Sequence, residues 1–191
     1  MVKIPQFLKE EIEATYNEYV NALGRVAHSW NNLQEQLAFL FACVTGMDNS
    51  VAYAIWYSTN NDRAQREMLR AAVNAKSEYW EHPEYVGEGL TWLINKANSL
   101  ADQRNDAIHA PCSMAAGYDG LEIAPFYFYG NPRAMKLKDK DVVRHFKWYE
   151  AYADTLSEYA KEVSIFMDGR PGSWPEKPTM PSLGQKNSDT E

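Results

Sequence analysis

The chain has little cysteine, no long apolar run and no excess of positive charge. Two cysteines in 191 residues, Cys43 and Cys112, exclude a disulfide framework and fit a reducing cytoplasm. Cys43 falls in the apolar stretch LAFLFACV and reads as a buried thiol, whereas Cys112 follows Pro111 in a loop. No uninterrupted apolar segment approaches the roughly 20 residues that span a bilayer, so no membrane association is expected. The N-terminal MVKIPQFLKEEIE lacks the apolar core of a signal peptide, and none is expected. The formal net charge is -7. Phosphate repels an acidic chain, which rules out nonspecific coating of nucleic acid. No DNA partner is expected, and any nucleic-acid contact has to be local, at a small cationic site.

Most catalytic signatures are also missing. There is no Cys-x-x-Cys or His-Glu-x-x-His spacing for a metal. The four histidines, His28, His82, His109 and His145, are scattered, and HSWNN or EHPE could hold a metal only through distant partners. No Gly-rich phosphate loop or Gly-x-Ser-x-Gly elbow is present. Neither a metal nor an organic cofactor is expected.

What the chain does have is aromatic surface and helical periodicity. Aromatics make up 13%, with 6 Trp and 12 Tyr, and large rings are used in cores and interfaces. From Pro5 to Val44, apolar residues recur at helical spacing: Ile12, Tyr16, Tyr19, Leu23, Val26, Trp30, Leu33, Leu37, Leu40, Phe41 and Val44. Gly46 ends this first helix. A short helix over VAYAIWYS follows a DNS cap, and STNND opens a third, from about Asp62 to Ser77. EHPEYVGEG reads as a loop. A fourth helix is expected from about Glu88 to His109, closed by Pro111. GYDGLEIAPFYFYGNPRAMKLK carries turn residues and β-favouring runs and reads as a hairpin or an extended excursion. A last long helix starts at a cap of Asp139 or Asp141 and reaches Met167.

The expected fold is therefore all-α: an antiparallel bundle of about five helices, with a small β-hairpin inserted before the last one. Residues 1–168 form the helical domain. Residues 169–191, rich in Pro, Gly and Ser, read as a flexible or loosely packed tail.

The fourth helix ends in LADQRNDAIHAPC. At 100° per residue, Leu90, Leu93, Ala97, Leu100, Ala107 and Ile108 form one apolar stripe. Asn95, Asn98, Asp102, Asn105, Asp106 and His109 form the opposite, polar one. Arg104 breaks the pattern, because it falls within the apolar stripe. A guanidinium there is costly unless it is paired or reaches water. Either Arg104 snorkels or pairs with an acid on another helix, or it is held to meet an anion, for which its planar fork is suited. His109 either caps carbonyls or moves protons, as histidine does near neutral pH. Asn105 lies one turn before it on the same face. Arg104 and His109 point about 140° apart on an ideal helix. They converge only if the last turn unwinds, if Arg104 curls round, or if partners approach from two sides.

The sequence RNDAIHA has the form Arg-Asn-x-x-x-His and resembles the signature of the HEPN superfamily (higher eukaryotes and prokaryotes nucleotide-binding). The helical setting is similar too, with the motif near the end of a late helix and one more long helix after it. SWNNLQEQLAFLF also resembles the first core helix of small bacterial HEPN-like proteins. The resemblance implies metal-independent RNA cleavage, as in many members, by a homodimer, with Arg104, Asn105 and His109 as the catalytic set. It equally admits the non-catalytic binding or scaffolding of other members. Asp102 and Asp106 depart from an RNA-binding surface by their charge.

The expected function is thus a cytoplasmic endoribonuclease of toxin or phage-defence type. It would cleave RNA by 2′-OH attack at a site shared across a dimer, with an antitoxin or other protein as a further partner. The alternatives are a non-catalytic HEPN-like module binding nucleotide, RNA or protein, and a structural dimer in which Arg104 lies in a salt bridge. The locally basic RAMKLKDKDVVRHFK, Arg133 to Lys147, is either a solvated face or a guide for RNA.

Overall fold

The computed structural model describes residues 6–77, 83–117 and 120–183. Among these the chain is mainly helical, with one antiparallel hairpin before the last helix. The elements are α1 (Gln6–Thr45), α2 (Asn49–Trp56), α3 (Asp62–Ser77), α4 (Glu84–His109), β1 (Cys112–Gly117), β2 (Gly120–Pro125), α5 (Pro132–Lys136) and α6 (Val142–Met167). A 3₁₀ turn, Phe128–Gly130, lies between β2 and α5.

Local chemistry explains the boundaries. Gly46 closes α1 at φ 69°, a conformation that costs glycine nothing. Asp48 caps α2 by accepting from the Ser50 amide at 2.9 Å. Asn61 caps α3, accepting from the Arg63 and Ala64 amides at 2.9 and 3.2 Å. Asp141 caps α6 through the Arg144 amide at 2.9 Å. Asp139, the other expected cap, instead takes a positive φ of 61°.

The described residues form six helices, in line with the expected number of about five; the short α5 starts at the Asn131 cap with Pro132 in its first turn. Two expectations need correction. The hairpin lies earlier than GYDGLEIAPFYFYGNPRAMKLK: β1 begins at Cys112, which pairs with Pro125, and residues 118–119 fall outside the described residues. The stretch read as the loop EHPEYVGEG is helical from Glu84, with 81–82 outside the described residues.

The chain divides into two compact units, and α1, α4 and α6 contribute residues to both. Unit 1 comprises residues 6–27, 102–117, 120–151 and 181–183 of those described. Its buried apolar residues include Ala22, Val26, Ala107, Leu137, Phe146 and Tyr149, and the Tyr19 and Phe146 rings meet at 5.7 Å. Unit 2 comprises residues 28–77, 83–101 and 152–180. Its larger core includes Leu33, Leu37, Trp56, Leu69, Leu93 and Leu156, all fully buried.

Beyond Met167 the described chain forms no helix or strand. Trp174 nevertheless packs on Tyr85 and Phe166, with ring centroids 5.8 and 5.4 Å away. In unit 1, the Trp148 indole donates to the Pro181 carbonyl at 2.8 Å. Residues 184–191 of the expected tail lie outside the described residues. No described helix is long and apolar enough to cross a membrane.

Candidate functional site

All three motif residues belong to the part of α4 in unit 1. Arg104 and Asn105 are half-buried and His109 is exposed. Arg104 Nε is shielded from solvent. This follows from the wheel: Arg104 shares its stripe with the buried Leu100 and Ala107. Asn105 and His109 are one turn apart on a common face.

α4 remains α-helical through His109, so the last turn does not unwind before Pro111. That closes one of the three routes by which Arg104 and His109 could converge. On an unbroken helix the two project about 140° apart. Convergence of Arg104 and His109 therefore requires either that Arg104 curl round its own helix or that partners approach from two sides.

The charge around the motif is not simply acidic. Lys136 of α5 donates to Asp106 at 2.5 Å, and this offsets the carboxylate two residues past Arg104. Asp102 is exposed. Tyr149 of α6 is buried, and its phenol is pushed up to about 12, chiefly by burial and secondarily by the Asp106 charge. The aromatic ring of Tyr149 is contacted by His145 and Trp148, at 6.3 and 5.1 Å. Unit 1 carries nine Lys and Arg against ten Asp and Glu among its described residues, so it is near neutral in a chain of net charge -7.

The basic segment Arg133–Lys147 divides its charges. Lys136 goes to Asp106, and Lys147 donates to Glu18 at 2.8 Å. Lys138 sits 5.4 Å from the Tyr127 ring centre. Arg133, Lys138 and Lys140 are exposed.

Neither thiol is built as a nucleophile. Cys112 is half-buried at the start of β1, and burial raises it despite a hydrogen bond with Tyr19. Cys43 is half-buried rather than buried, and it too is raised by desolvation. Among the described residues no group of three or more His, Cys, Asp or Glu is placed to hold a metal ion. His82 lies outside the described residues.

A second polar cluster, in unit 2, escaped the sequence reading. Arg66 of α3 is only 3% exposed. Its Nε donates to Asn98 Oδ1 at 2.6 Å, and its guanidinium lies 5.3 Å from the Trp30 ring centre. The Trp30 indole donates to Asp62 at 2.9 Å, and Arg70 donates to Asn95 at 2.9 Å. Part of the α4 polar stripe thus meets arginines of α3. The signal was available: an Arg66/Arg70 pair at helical spacing opposite an asparagine pair three residues apart.

A cleft of about 810 Å³ in unit 2 is lined by Asn74, Glu84, Thr91, Trp92, Asn95 and Lys177, among others. None of the motif residues lines it.

No family model matches the chain, and no curated protein or solved structure matches it either.

Proposed function

We propose that the chain is a metal-independent endoribonuclease of toxin or phage-defence type, acting in the cytoplasm as a homodimer. The observation that carries this reading is the state of the motif. Arg104 is half-buried and His109 exposed on one unbroken helix end, with the neighbouring carboxylate of Asp106 held by Lys136.

The chemistry needs a proton taken from the ribose 2′-OH, a proton given to the leaving 5′-oxygen, and a stabilised phosphorane. The 2′-oxygen bonds to phosphorus, the bond from phosphorus to the 5′-oxygen breaks, and the products are a 2′,3′-cyclic phosphate and a 5′-OH. One imidazole accepts the first proton and a second donates the other. One chain supplies one histidine in this motif, so the second comes from a partner across a twofold axis. Arg104 from each subunit meets the phosphate charge, and Asn105 orients phosphate or imidazole. The 140° divergence of Arg104 from His109 supports a shared site, because a substrate between two subunits draws its groups from both.

Incubation of the pure protein with mixed RNA in EDTA tests this. Cleavage ending in a 2′,3′-cyclic phosphate, lost in His109→Ala, is the expected result. Cleavage retained by His109→Ala, or a monomer in sedimentation at micromolar concentration, refutes it. The second reading, a non-catalytic module that binds nucleotide, RNA or a protein such as an antitoxin, is supported by the net acidic charge.

A further inference from the structure

Immediately after β2, the segment FYFYG in unit 1 places aromatic rings in solvent. Phe128 is 61% exposed and Tyr129 99% exposed, with Phe126 at 39%. Soluble chains seldom leave such rings together at the surface without use. The Phe126 ring meets Phe128 at 5.4 Å and Tyr129 at 6.4 Å, and Tyr127 stacks on Phe128 at 5.1 Å.

This cluster is held rather than loose. Its start is bonded to the end of the motif helix, because the Phe126 amide donates to the Pro111 carbonyl at 2.7 Å, two residues past His109. Its far side is fixed by Asn131, which accepts from the Arg133 and Ala134 amides at 3.0 and 3.1 Å. α5 is then tied to α4 by Lys136 and Asp106. Tyr129 takes a left-handed backbone, φ 64° and ψ 18°, which disfavours a tyrosine. A strained, fully exposed ring held at both flanks is displayed rather than stored.

Charge selects the occupant. From Phe126 to Lys140 the chain carries Arg133, Lys136, Lys138 and Lys140 against Asp139 alone, a local excess of cation in an acidic protein. The Lys138 ammonium lies 5.4 Å from the Tyr127 ring centre, so cation and aromatic faces are presented together. Stacking faces interleaved with cations are what unpaired nucleobases and their phosphates require. A membrane surface would take the rings but needs an apolar helix face or anchor, and a second protein copy gains nothing from like cations meeting.

We propose that Phe128 and Tyr129 form a stacking platform for the unpaired bases of single-stranded RNA, with Arg133, Lys138 and Lys140 holding its phosphates. The identification of the strand as RNA rests on the nuclease reading. The staples at Pro111 and Asp106 put this platform beside the Arg104–His109 turn, so a strand stacked there is presented to the motif.

The test is fluorescence polarisation with a labelled, unstructured RNA of about 12 nucleotides. The full chain carries His109→Ala, so that cleavage plays no part. The Phe128→Ser/Tyr129→Asn variant, in which asparagine accepts the left-handed backbone, is expected to weaken binding about tenfold or more. An oligomer with the same backbone but abasic sites should bind the parent as poorly. Lys138→Gln/Lys140→Gln should flatten the salt dependence by about 1.4 in log-log slope. Circular dichroism and Tm confirm that both variants fold. Equal affinity for the abasic oligomer, or unchanged affinity of the aromatic variant, overturns the proposal. So does the aromatic variant changing a dimer into a monomer, or the parent binding anionic vesicles and not RNA. If the platform binds RNA as described while wild-type protein cleaves none, the platform stands and the nuclease reading falls.

Discussion

Lys136 Nζ contacts Asp106 Oδ2 at 2.5 Å, joining the short α5 to the motif helix between Arg104 and His109. The lysine side chain is 64% exposed and the aspartate 23%. An ion pair so open to water contributes little to stability, about 0–1 kcal/mol. Its effect is on the local field: without the lysine, a bare carboxylate faces any phosphate brought to Arg104. Lys136→Met should leave Tm nearly unchanged and weaken RNA binding about threefold to fivefold at low salt. Adding Asp106→Asn should restore it. A large fall in Tm with RNA affinity unaltered would assign the pair a structural role instead.

The fold was legible to the extent that periodicity and caps carried it. α3 matches its expected bounds, since Asn61 and the apolar spacing agree. α1 and α6 were readable for the same reason. The errors have local causes. The loop reading of EHPEYVGEG fails where α4 already runs; within that stretch Gly89 sits in the helix with Trp174 and Tyr159 packed beside it. The aromatic run FYFY has strand-like composition and draws the expected hairpin late, whereas β1 is CSMAAG, which lacks that composition. Arg104 was recognisable as anomalous on its stripe. Arg66 is not anomalous on a single-helix wheel, because its cost is offset by partners on other elements, Asn98 and Trp30; only the Arg66/Arg70 and Asn95/Asn98 spacings, compared across two helices, point to it.

Gly89 carries the clearest packing prediction. It is buried, and a Cβ there would fall 2.5 Å from Trp174 Cζ2 and 3.0 Å from the Tyr159 hydroxyl. Alanine favours the helix by up to about 1 kcal/mol, but an indole held by Tyr85 and Phe166 has to move. Gly89→Ala should release Trp174, shift the tryptophan emission to the red and speed proteolysis after Asp168. Repacking of a crowded site typically costs about 1–3 kcal/mol, so Tm should fall. An unchanged emission spectrum and cleavage pattern would show that the segment around Trp174 accommodates the methyl.

Asn98 tests the buried cluster of unit 2. Its carbonyl oxygen accepts from Arg66 Nε at 2.6 Å. Removing it strands part of a buried guanidinium, at a cost of about 1–3 kcal/mol. Asn98→Ala should therefore lower the urea midpoint without altering RNA cleavage. Asn98→Asp should do less harm, because its carboxylate presents an acceptor and a charge to Arg66. Loss of cleavage in Asn98→Ala at full stability would instead place Arg66 in the functional site.

Tyr149 supplies a pH dependence. Burial, reinforced by Asp106, lifts its phenol from 10 to about 12. The folded state therefore holds the phenolic proton more tightly than the unfolded state does. The associated stability is complete below pH 10 and is lost as pH rises from 10 through 12. A shift of this size corresponds to stability on the order of 2–3 kcal/mol. Tyr149→Phe carries no such proton. Denaturant titrations of the two proteins between pH 9 and 12 should give curves that fall more steeply for wild type. The difference between them should shrink by an amount of that order as pH approaches 12. Parallel curves would mean that the phenol ionises as freely in the fold as outside it, contrary to its burial.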